Sequence, residues 1–505
     1  MSPISSVSSQ PGEDHGCWLL SRLVRIKKSR NPRSQKHRGT LAAHSPRAEV
    51  RGPSILPADG NRRGRVEEFS WFGPLARIAI AVGAVMALRL VVRRQTDPFI
   101  AKAIVLGVFA KIVGTLARYF LITDLYGESG DFRRYVRNGD QIASVIRSGS
   151  LPEQARETGT PFMDFLAGVL FTFAPSTLLV GFAAFSTLAF VGQYLFLRAF
   201  QLALPDGDHR RYALLILFVP TMIFWPSSIG KEAWLVFALG VACYGAARVL
   251  RKARFGYLVT LLGGAGVFAV RPHMGALFAL TFAGAFVLRF RDPEVNSKAV
   301  GWIVGLVVIS LGAGYAAVNF GDLLPQDESV DGTQTDQIFA ETSRRTTQGG
   351  SSYETRPVED PIDFLYAAVT VPFRPFPHEA HNRQAQISGL EGVILLGLVV
   401  ASIPRLRRMP IYLLRRPYVA MSTVYCIGFI IAFSNVGNFG IITRQRAQLL
   451  PLLFVLLALP VVQGRQQRRP NAGILIPLTA EQQDSFHADP AGALSDGRHF
   501  DLNGE

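Results

Sequence analysis

Long apolar stretches alternate with polar loops along the chain from about residue 72 to residue 463. Stretches of this kind are typical of transmembrane helices, and about ten or eleven are expected. Several are shorter than the roughly 20 residues that cross a bilayer squarely, and such helices usually line a covered site. The expected spans lie near 72–92, 98–122, 176–199, 212–226, 231–250, 255–270, 274–289, 299–320, 387–404, 418–434 and 447–463. The pattern predicts an all-α, polytopic membrane bundle with short or broken helices.

The loops between these stretches are of two kinds that alternate. Every second loop is basic, as the positive-inside rule expects of cytoplasmic connections. These basic loops contain Arg93, Arg210, 248–254, 289–291, 405–416 and 465–469. The other loops, including two long ones at 123–161 and 321–386, are expected to face outward. The basic start of the chain conflicts with this orientation, unless translation begins farther downstream or the segment at 72–92 does not fully cross.

Composition supports an integral membrane protein rather than a soluble one. Of 505 residues, 49% are hydrophobic, and the mean hydropathy is positive. The net charge of +16 lies mostly in the basic loops and in residues 1–70, where it fits anionic lipid headgroups better than nucleic acid. Three cysteines make neither a disulfide framework nor a zinc motif. We expect disordered tails at 1–70 and 465–505 around a membrane domain at 71–464.

The first outer loop carries a carboxylate next to the membrane. Its apolar spacing predicts a surface helix from about Asp131 to Ile146, with one polar face. That polar face is expected to hold Asp131, Arg134, Tyr135 and Asn138. Asp131 has two interpretations, a helix N-cap or a general base that deprotonates an acceptor hydroxyl.

Two further outer motifs carry cations where helices begin. Lys231 opens a span, although a helix N-terminus favours anions. A lysine with free amide groups at a helix start forms a phosphate site, whereas the structural alternative is a Lys231 that reaches water or pairs with Glu232. Arg271-Pro-His273 interrupts an otherwise apolar stretch. An ionisable pair so close to lipid indicates a site, and a structural salt bridge is the alternative.

Two later segments hold the remaining candidates. In one, three prolines stiffen the backbone around Arg374, His378, Glu379 and His381. A metal site there matches no familiar zinc spacing, so hydrogen bonding to sugar hydroxyls and phosphate is the favoured interpretation. In the other, Arg444 and Arg446 lead into the last span. Two guanidiniums there suggest bidentate capture of phosphate or pyrophosphate, with a solvated charge pair as the alternative.

These motifs resemble those of two groups of membrane proteins. Ser129-Gly-Asp131-Phe-Arg-Arg-Tyr135 resembles the Gly-Asp and Tyr signature in the first external loop of the C-type superfamily of membrane glycosyltransferases. The segments at 226–232, 271–273, 374–382 and 438–446 resemble bacterial proteins of surface-polysaccharide synthesis, including O-antigen-type polymerases. The resemblance covers about residues 72–463. The chain departs from the superfamily in lacking a clear acidic pair in the first loop and in having two expected spans before it.

The resemblance implies an enzyme that takes sugars from polyprenyl phosphate or pyrophosphate carriers at the outer face of the cytoplasmic membrane. Asp131 would be its catalytic residue, and its partners would be the lipid-linked sugar, a glycan acceptor and membrane lipids. Phosphate and substrate would be bound by Arg134, Tyr135, Lys231, Arg271, His273, Arg374, His378, Glu379, His381, Arg444 and Arg446. No cofactor is expected, with a divalent metal as the alternative. The alternatives in function are a transporter of lipid-linked saccharide and a non-catalytic subunit of a polysaccharide synthase.

Overall fold

The computed structural model describes residues 83, 85, 86, 88–125, 131–289, 353, 356, 358–380 and 383–460. The expected span at 299–320, both tails, His381 and most of the second long outer loop lie outside these residues. The described helices, in chain order, are Pro98–Phe120 (α1), Asp131–Arg147 (α2), Thr160–Phe173 (α3), Leu178–Ala203 (α4), His209–Phe218 (α5), Pro220–Phe224 (α6), Lys231–Leu250 (α7), Gly256–Val270 (α8), Pro272–Arg289 (α9), Pro361–Phe373 (α10), Arg383–Ala401 (α11), Ile403–Leu406 (α12), Met409–Arg415 (α13), Pro417–Phe433 (α14) and Phe439–Leu457 (α15).

These residues form an all-α membrane protein, as the apolar pattern predicted. Within the described part of the chain no β-strand occurs, and four helices are long and apolar enough to cross a membrane: α1, α4, α7 and α15. A fifth span is obtained if α13 and α14, bent by 118°, are counted together. The apolar helices α3, α8 and α10 have 14, 15 and 13 residues, so the expectation of short helices is confirmed. The chain is therefore a multi-pass membrane protein.

The structure changes three details of the predicted element order. The expected span at 212–226 is broken at Pro220, because proline cannot donate the hydrogen bond that would continue α5. A helix at Thr160–Phe173 was not predicted. The last helix begins at Phe439, before its apolar run, because the Asn438 side chain accepts a hydrogen bond from the backbone N–H of Ile441. Arg444 and Arg446 therefore lie inside a helix and not in the loop before it.

Small residues allow the central helices to pack closely. Gly192 of α4 faces Gly240 of α7, and a Cβ added to either glycine would overlap the backbone of the other helix. Since lipid tails are as apolar as leucine, membrane helices associate through such close packing rather than through hydrophobic burial. The close α4–α7 contact helps to fix α7, whose first turn carries Lys231.

Polar side chains concentrate at the two ends of this bundle. One end, the Asp97 end, holds the start of α1, the loop between α4 and α5, and the end of α15, joined by the Arg210–Asp97 and Arg405–Asp208 ion pairs. Arg405 also donates a hydrogen bond to the backbone carbonyl of Leu459. The other end, the Lys231 end, holds the start of α7 and the turn between α8 and α9. The candidate residues of the sequence lie at the Lys231 end.

Candidate functional site

The surface helix predicted from the first outer loop is present as α2, but its polar face differs from the expectation. Phe132 and Ala143 are buried as predicted. Tyr135 is also buried, at 2% exposure, whereas the sequence placed it on the polar face. The reason is the unpredicted helix α3, which packs against α2 so closely that a Cβ at Gly139 would overlap Ala167 and Phe171. Tyr135 is thus buried and does not belong to an exposed polar face of α2.

A buried carboxylate, Asp164 of α3, holds the polar residues of α2. Its Oδ2 atom accepts hydrogen bonds from Arg134, at 3.3 Å from Nε and 3.2 Å from Nη2, and from Asn138 Nδ2 at 3.0 Å. The other oxygen, Oδ1, is buried and has no hydrogen-bond partner within the described ranges. Sequence reasoning missed Asp164, although a carboxylate in an apolar stretch is itself a signal of function.

Asp131 lies at the first residue of α2, where it is exposed and electrostatically coupled to Lys231 and Tyr135. Burial, together with the carboxylates of Asp131, Glu232 and Asp164, raises the pKa of Tyr135. The phenol therefore stays protonated at neutral pH. The three carboxylates that surround it come from three different helices, α2, α3 and α7, so this part of the site depends on the packing of all three.

The cations of α7 and of the α8–α9 turn meet beside these carboxylates. Lys231 is half-buried at the start of α7, and Arg271 lies between α8 and α9 with its side chain 13% exposed. The nearest charge partner of Arg271 is Glu232, with 3.9 Å between Nη2 and Oε1. Arg271 also interacts electrostatically with Lys231 and with Arg444 of α15. No carboxylate of the described segments lies within ion-pair distance of Lys231.

We call Lys231, Arg271 and Arg444 the cation cluster. Arg444 is exposed, and its guanidinium lies 5.6 Å from the ring centroid of Trp225. His273 is also exposed and lies two residues after Arg271, in the first turn of α9. It interacts electrostatically with both Arg271 and Lys231. Two arginines, one lysine and one histidine therefore share a region. As far as the described residues extend, Glu232 is the one carboxylate that forms an ion pair with them.

The proline-rich segment forms a second group, in which the cation is already neutralised. Arg374 donates from Nε to Glu379 Oε1 at 2.9 Å, and its Nη2 lies 2.9 Å from the same oxygen and donates to the Tyr366 hydroxyl at 3.0 Å. Its guanidinium stacks on Tyr353 at 4.7 Å. Burial raises the pKa of Tyr353 to about 12. His378 is exposed and stacks on Phe376. His381 lies outside the described residues, and the described ones contain no group of three residues suited to hold a metal.

Arg446 belongs to this second group and is fully buried. It donates a hydrogen bond to the backbone carbonyl of Arg374, and its Nη1 lies 3.8 Å from Glu391 Oε2. Glu391 in turn accepts hydrogen bonds from the backbone N–H and the hydroxyl of Thr221, at 2.6 and 2.7 Å. This network connects the break at Pro220 to the proline-rich segment. The sequence did not single out the pairing of Glu391 with Arg446.

The predicted site residues therefore fall into two sets. Asp131, Arg134, Lys231, Arg271, His273 and Arg444 surround one region at the Lys231 end. Arg374, Glu379 and Arg446 form a paired network beside it, and the contact between Arg446 and Arg374 fixes the start of α15 that also carries Arg444. No protein-family model matches the chain, and neither curated proteins nor solved structures include one similar to it.

Proposed function

We propose that this protein is a membrane glycosyltransferase that takes its sugar from a polyprenyl-phosphate or polyprenyl-pyrophosphate carrier at the outer face of the cytoplasmic membrane, in surface glycan synthesis. The observation that supports this most is the cation cluster. Like charges held near one another raise each other's energy, and an anion that binds among them relieves the repulsion. A lipid-linked phosphate reaches this position from the membrane surface.

The chemistry follows from the charges around that phosphate. An acceptor hydroxyl attacks the anomeric carbon, the carbon–oxygen bond to the carrier phosphate breaks, and the hydroxyl proton passes to Asp131. The departing phosphate gains negative charge, which Lys231, Arg271 and Arg444 neutralise from fixed positions. Asp131 is placed for the base role because it is exposed and interacts electrostatically with Lys231 of the proposed phosphate site. The protein itself supplies positive charge for this step.

The second group has a supporting role in this proposal. Arg374 and Arg446 are each engaged by a carboxylate, Glu379 and Glu391, so they contribute less free positive charge than the cation cluster. Their network instead fixes the N-terminal half of α15, which carries Arg444. His273 and His378 are exposed and can donate hydrogen bonds to sugar hydroxyls or phosphate.

A transporter of lipid-linked saccharide is the second candidate, and one observation favours it. Lys111 of α1 lies buried in a span and donates to the backbone carbonyl of Met222 at 3.0 Å, next to the break at Pro220. Gln193 of α4 donates to the same carbonyl at 2.9 Å. Broken helices with an ionisable partner inside the membrane are a common feature of transporters.

Sugar transfer by the purified chain in lipid nanodiscs distinguishes the two candidates. With a polyprenyl-phosphate-linked sugar and a glycan acceptor, the glycosyltransferase proposal expects product, and Asp131→Asn lowers turnover by about 100-fold or more because the general base is lost. Asp140→Asn is the matched control, since Asp140 is an exposed carboxylate of the same helix that bonds Ser176. Near-normal turnover in Asp131→Asn would remove Asp131 from the mechanism. Movement of the lipid between leaflets without product would favour the transporter.

A further inference from the structure

Asp164 is a buried carboxylate with one oxygen in use and one without a partner. Its side chain is 4% exposed, and all three of its hydrogen bonds arrive at Oδ2 from Arg134 and Asn138 of α2. Oδ1 lies on the opposite edge of the carboxylate and receives no hydrogen bond within the described part of the chain. A buried carboxylate oxygen without a donor is costly, so a free Oδ1 indicates a donor that arrives with a ligand.

Asp164 belongs to α3, which packs against α7 and the end of α8, the elements that carry Lys231 and lead to Arg271. The start of α3 is joined to the end of α8 by a hydrogen bond from Gly159 N–H to the Ala269 carbonyl, at 2.8 Å. Phe162 packs edge to face on Trp234 of α7. Asp164 also contributes to the electrostatic environment of Tyr135, together with Asp131 and Glu232. A ligand held between Asp131 and Lys231 therefore lies close to this carboxylate.

The charge around Asp164 indicates what kind of donor it receives. Its ion pair with Arg134 leaves the two side chains neutral together, so a further cation gains little from binding there. The described residues provide no set of three ligands for a metal ion. An uncharged O–H donor remains, and a saccharide is the part of the proposed substrate that carries such donors.

We propose that Asp164 Oδ1 accepts a hydrogen bond from a hydroxyl of the saccharide, with Arg134 and Asn138 as the residues that position the carboxylate. This inference rests on the proposed function, because it assumes that a lipid-linked saccharide binds beside the cation cluster. It makes Asp164 a residue that determines which sugar is accepted. A site that hydrogen-bonds a substrate hydroxyl discriminates strongly against an analogue that lacks it.

The test compares two probes on the full chain in nanodiscs, a farnesyl-phosphoryl hexose and farnesyl phosphate without sugar. In the wild type the hexose should strengthen binding. Asp164→Ala should weaken binding of the hexose probe on the order of tenfold to a hundredfold, because a hydrogen bond to a charged group is lost, and leave farnesyl phosphate binding unchanged. Equal binding of the hexose probe by wild type and Asp164→Ala overturns the inference. Failure of the wild type to bind farnesyl phosphate overturns the proposed function as well.

Asp164→Asn separates ligand binding from helix packing. Asparagine keeps an acceptor at Oδ1 but turns an NH2 group toward Arg134 and Asn138, so the α2–α3 contact is lost while the acceptor remains. We expect Asp164→Asn to retain more of the hexose-dependent affinity than Asp164→Ala. If both lose it equally, and Asn138→Ala loses it too, Asp164 acts through packing and the inference is wrong.

A series of monodeoxy hexose probes extends the test if Asp164→Ala does not fold. Removal of one particular hydroxyl should weaken binding to the wild type by about tenfold or more, and weaken binding to Asp164→Asn less, since the acceptor there is uncharged. Equal losses in both proteins contradict the inference, as does a series in which every hydroxyl is dispensable.

Discussion

Arginines at the two ends of the bundle have different surroundings. At the Asp97 end three arginines each pair with a carboxylate: Arg210 with Asp97 at 2.6 Å, Arg405 with Asp208 at 2.9 Å and Arg416 with Asp206 at 3.2 Å. These pairs connect loops that are distant in sequence. At the Lys231 end, within the described part of the chain, Glu232 is the one carboxylate that pairs with the cation cluster, and it does so through Arg271. Paired arginines hold the fold together, whereas crowded ones keep a positive potential that an anion can use.

The largest effect on stability is expected at Glu391, which forms a buried ion pair with Arg446 at the Lys231 end. Glu391→Ala leaves the guanidinium of Arg446 and the backbone N–H of Thr221 without their partner. Breaking a buried ion pair in this way costs about 3–5 kcal/mol, so the free energy of unfolding should fall by that order. Thermal or denaturant unfolding in detergent measures it.

Glu391→Gln is the control for that change, because an amide can still accept from Thr221. We expect an intermediate loss. If Glu391→Ala unfolds like the wild type, the network from Thr221 to Arg374 does not stabilise the protein.

A smaller effect is expected for a paired arginine of the Asp97 end. Arg405→Gln removes the ion pair with Asp208 and the hydrogen bond to the Leu459 carbonyl, but Asp208 stays partly in contact with solvent. The free energy of unfolding should fall by about 1 kcal/mol, with no change in binding of a lipid phosphate. The same unfolding assay and a binding assay measure the two quantities. Weakened lipid binding in Arg405→Gln would mean that the two ends do not differ as described.

The smallest effect is expected at Arg210, which is 63% exposed. Arg210→Gln should leave the unfolding temperature at neutral pH unchanged within error, since exposed ion pairs contribute little. The hydrogen bond from Arg210 holds the pKa of Asp97 below its ordinary value of 3.8. A carboxyl group whose pKa is lowered on folding stabilises the fold at pH values above its ordinary pKa. This stabilisation is lost as the pH falls through the pKa of the folded state. The two proteins should therefore also unfold alike in strong acid, where Asp97 is protonated, and a difference in stability that grows as the pH falls would contradict this assignment.

Local signals account for the parts of the structure that were predicted. Lys231–Leu250 is found as expected because a long apolar run follows the two charged residues that begin it, and these mark where the helix starts. The surface helix from Asp131 was predicted from the spacing of its apolar residues. The early start of the last helix was missed, although Asn438 provides an N-cap signal that the apolar pattern alone does not include.

The remaining details depend on contacts between distant segments. Arg446 and Glu391 meet only because α11 and α15 pack together, and nothing near either residue in the sequence indicates the pair. Tyr135 was placed on the wrong face because the helix that covers it, α3, is short and was not recognised. Asp164 was missed for the same reason. The cations of the candidate site and Glu379 were found from the sequence, whereas Asp164 and the pairing of Glu391 with Arg446 were not.

Binding of farnesyl phosphate to the chain in nanodiscs tests the central claim most directly. The claim is that the cation cluster forms a phosphate site, so the wild type should bind farnesyl phosphate saturably and farnesol, which lacks the phosphate, much more weakly. Arg271→Gln should weaken binding on the order of tenfold to a hundredfold through the loss of a charge-assisted contact, while Arg210→Gln at the opposite end should not change it. Equal affinities of wild type, Arg271→Gln and Arg210→Gln would contradict the account.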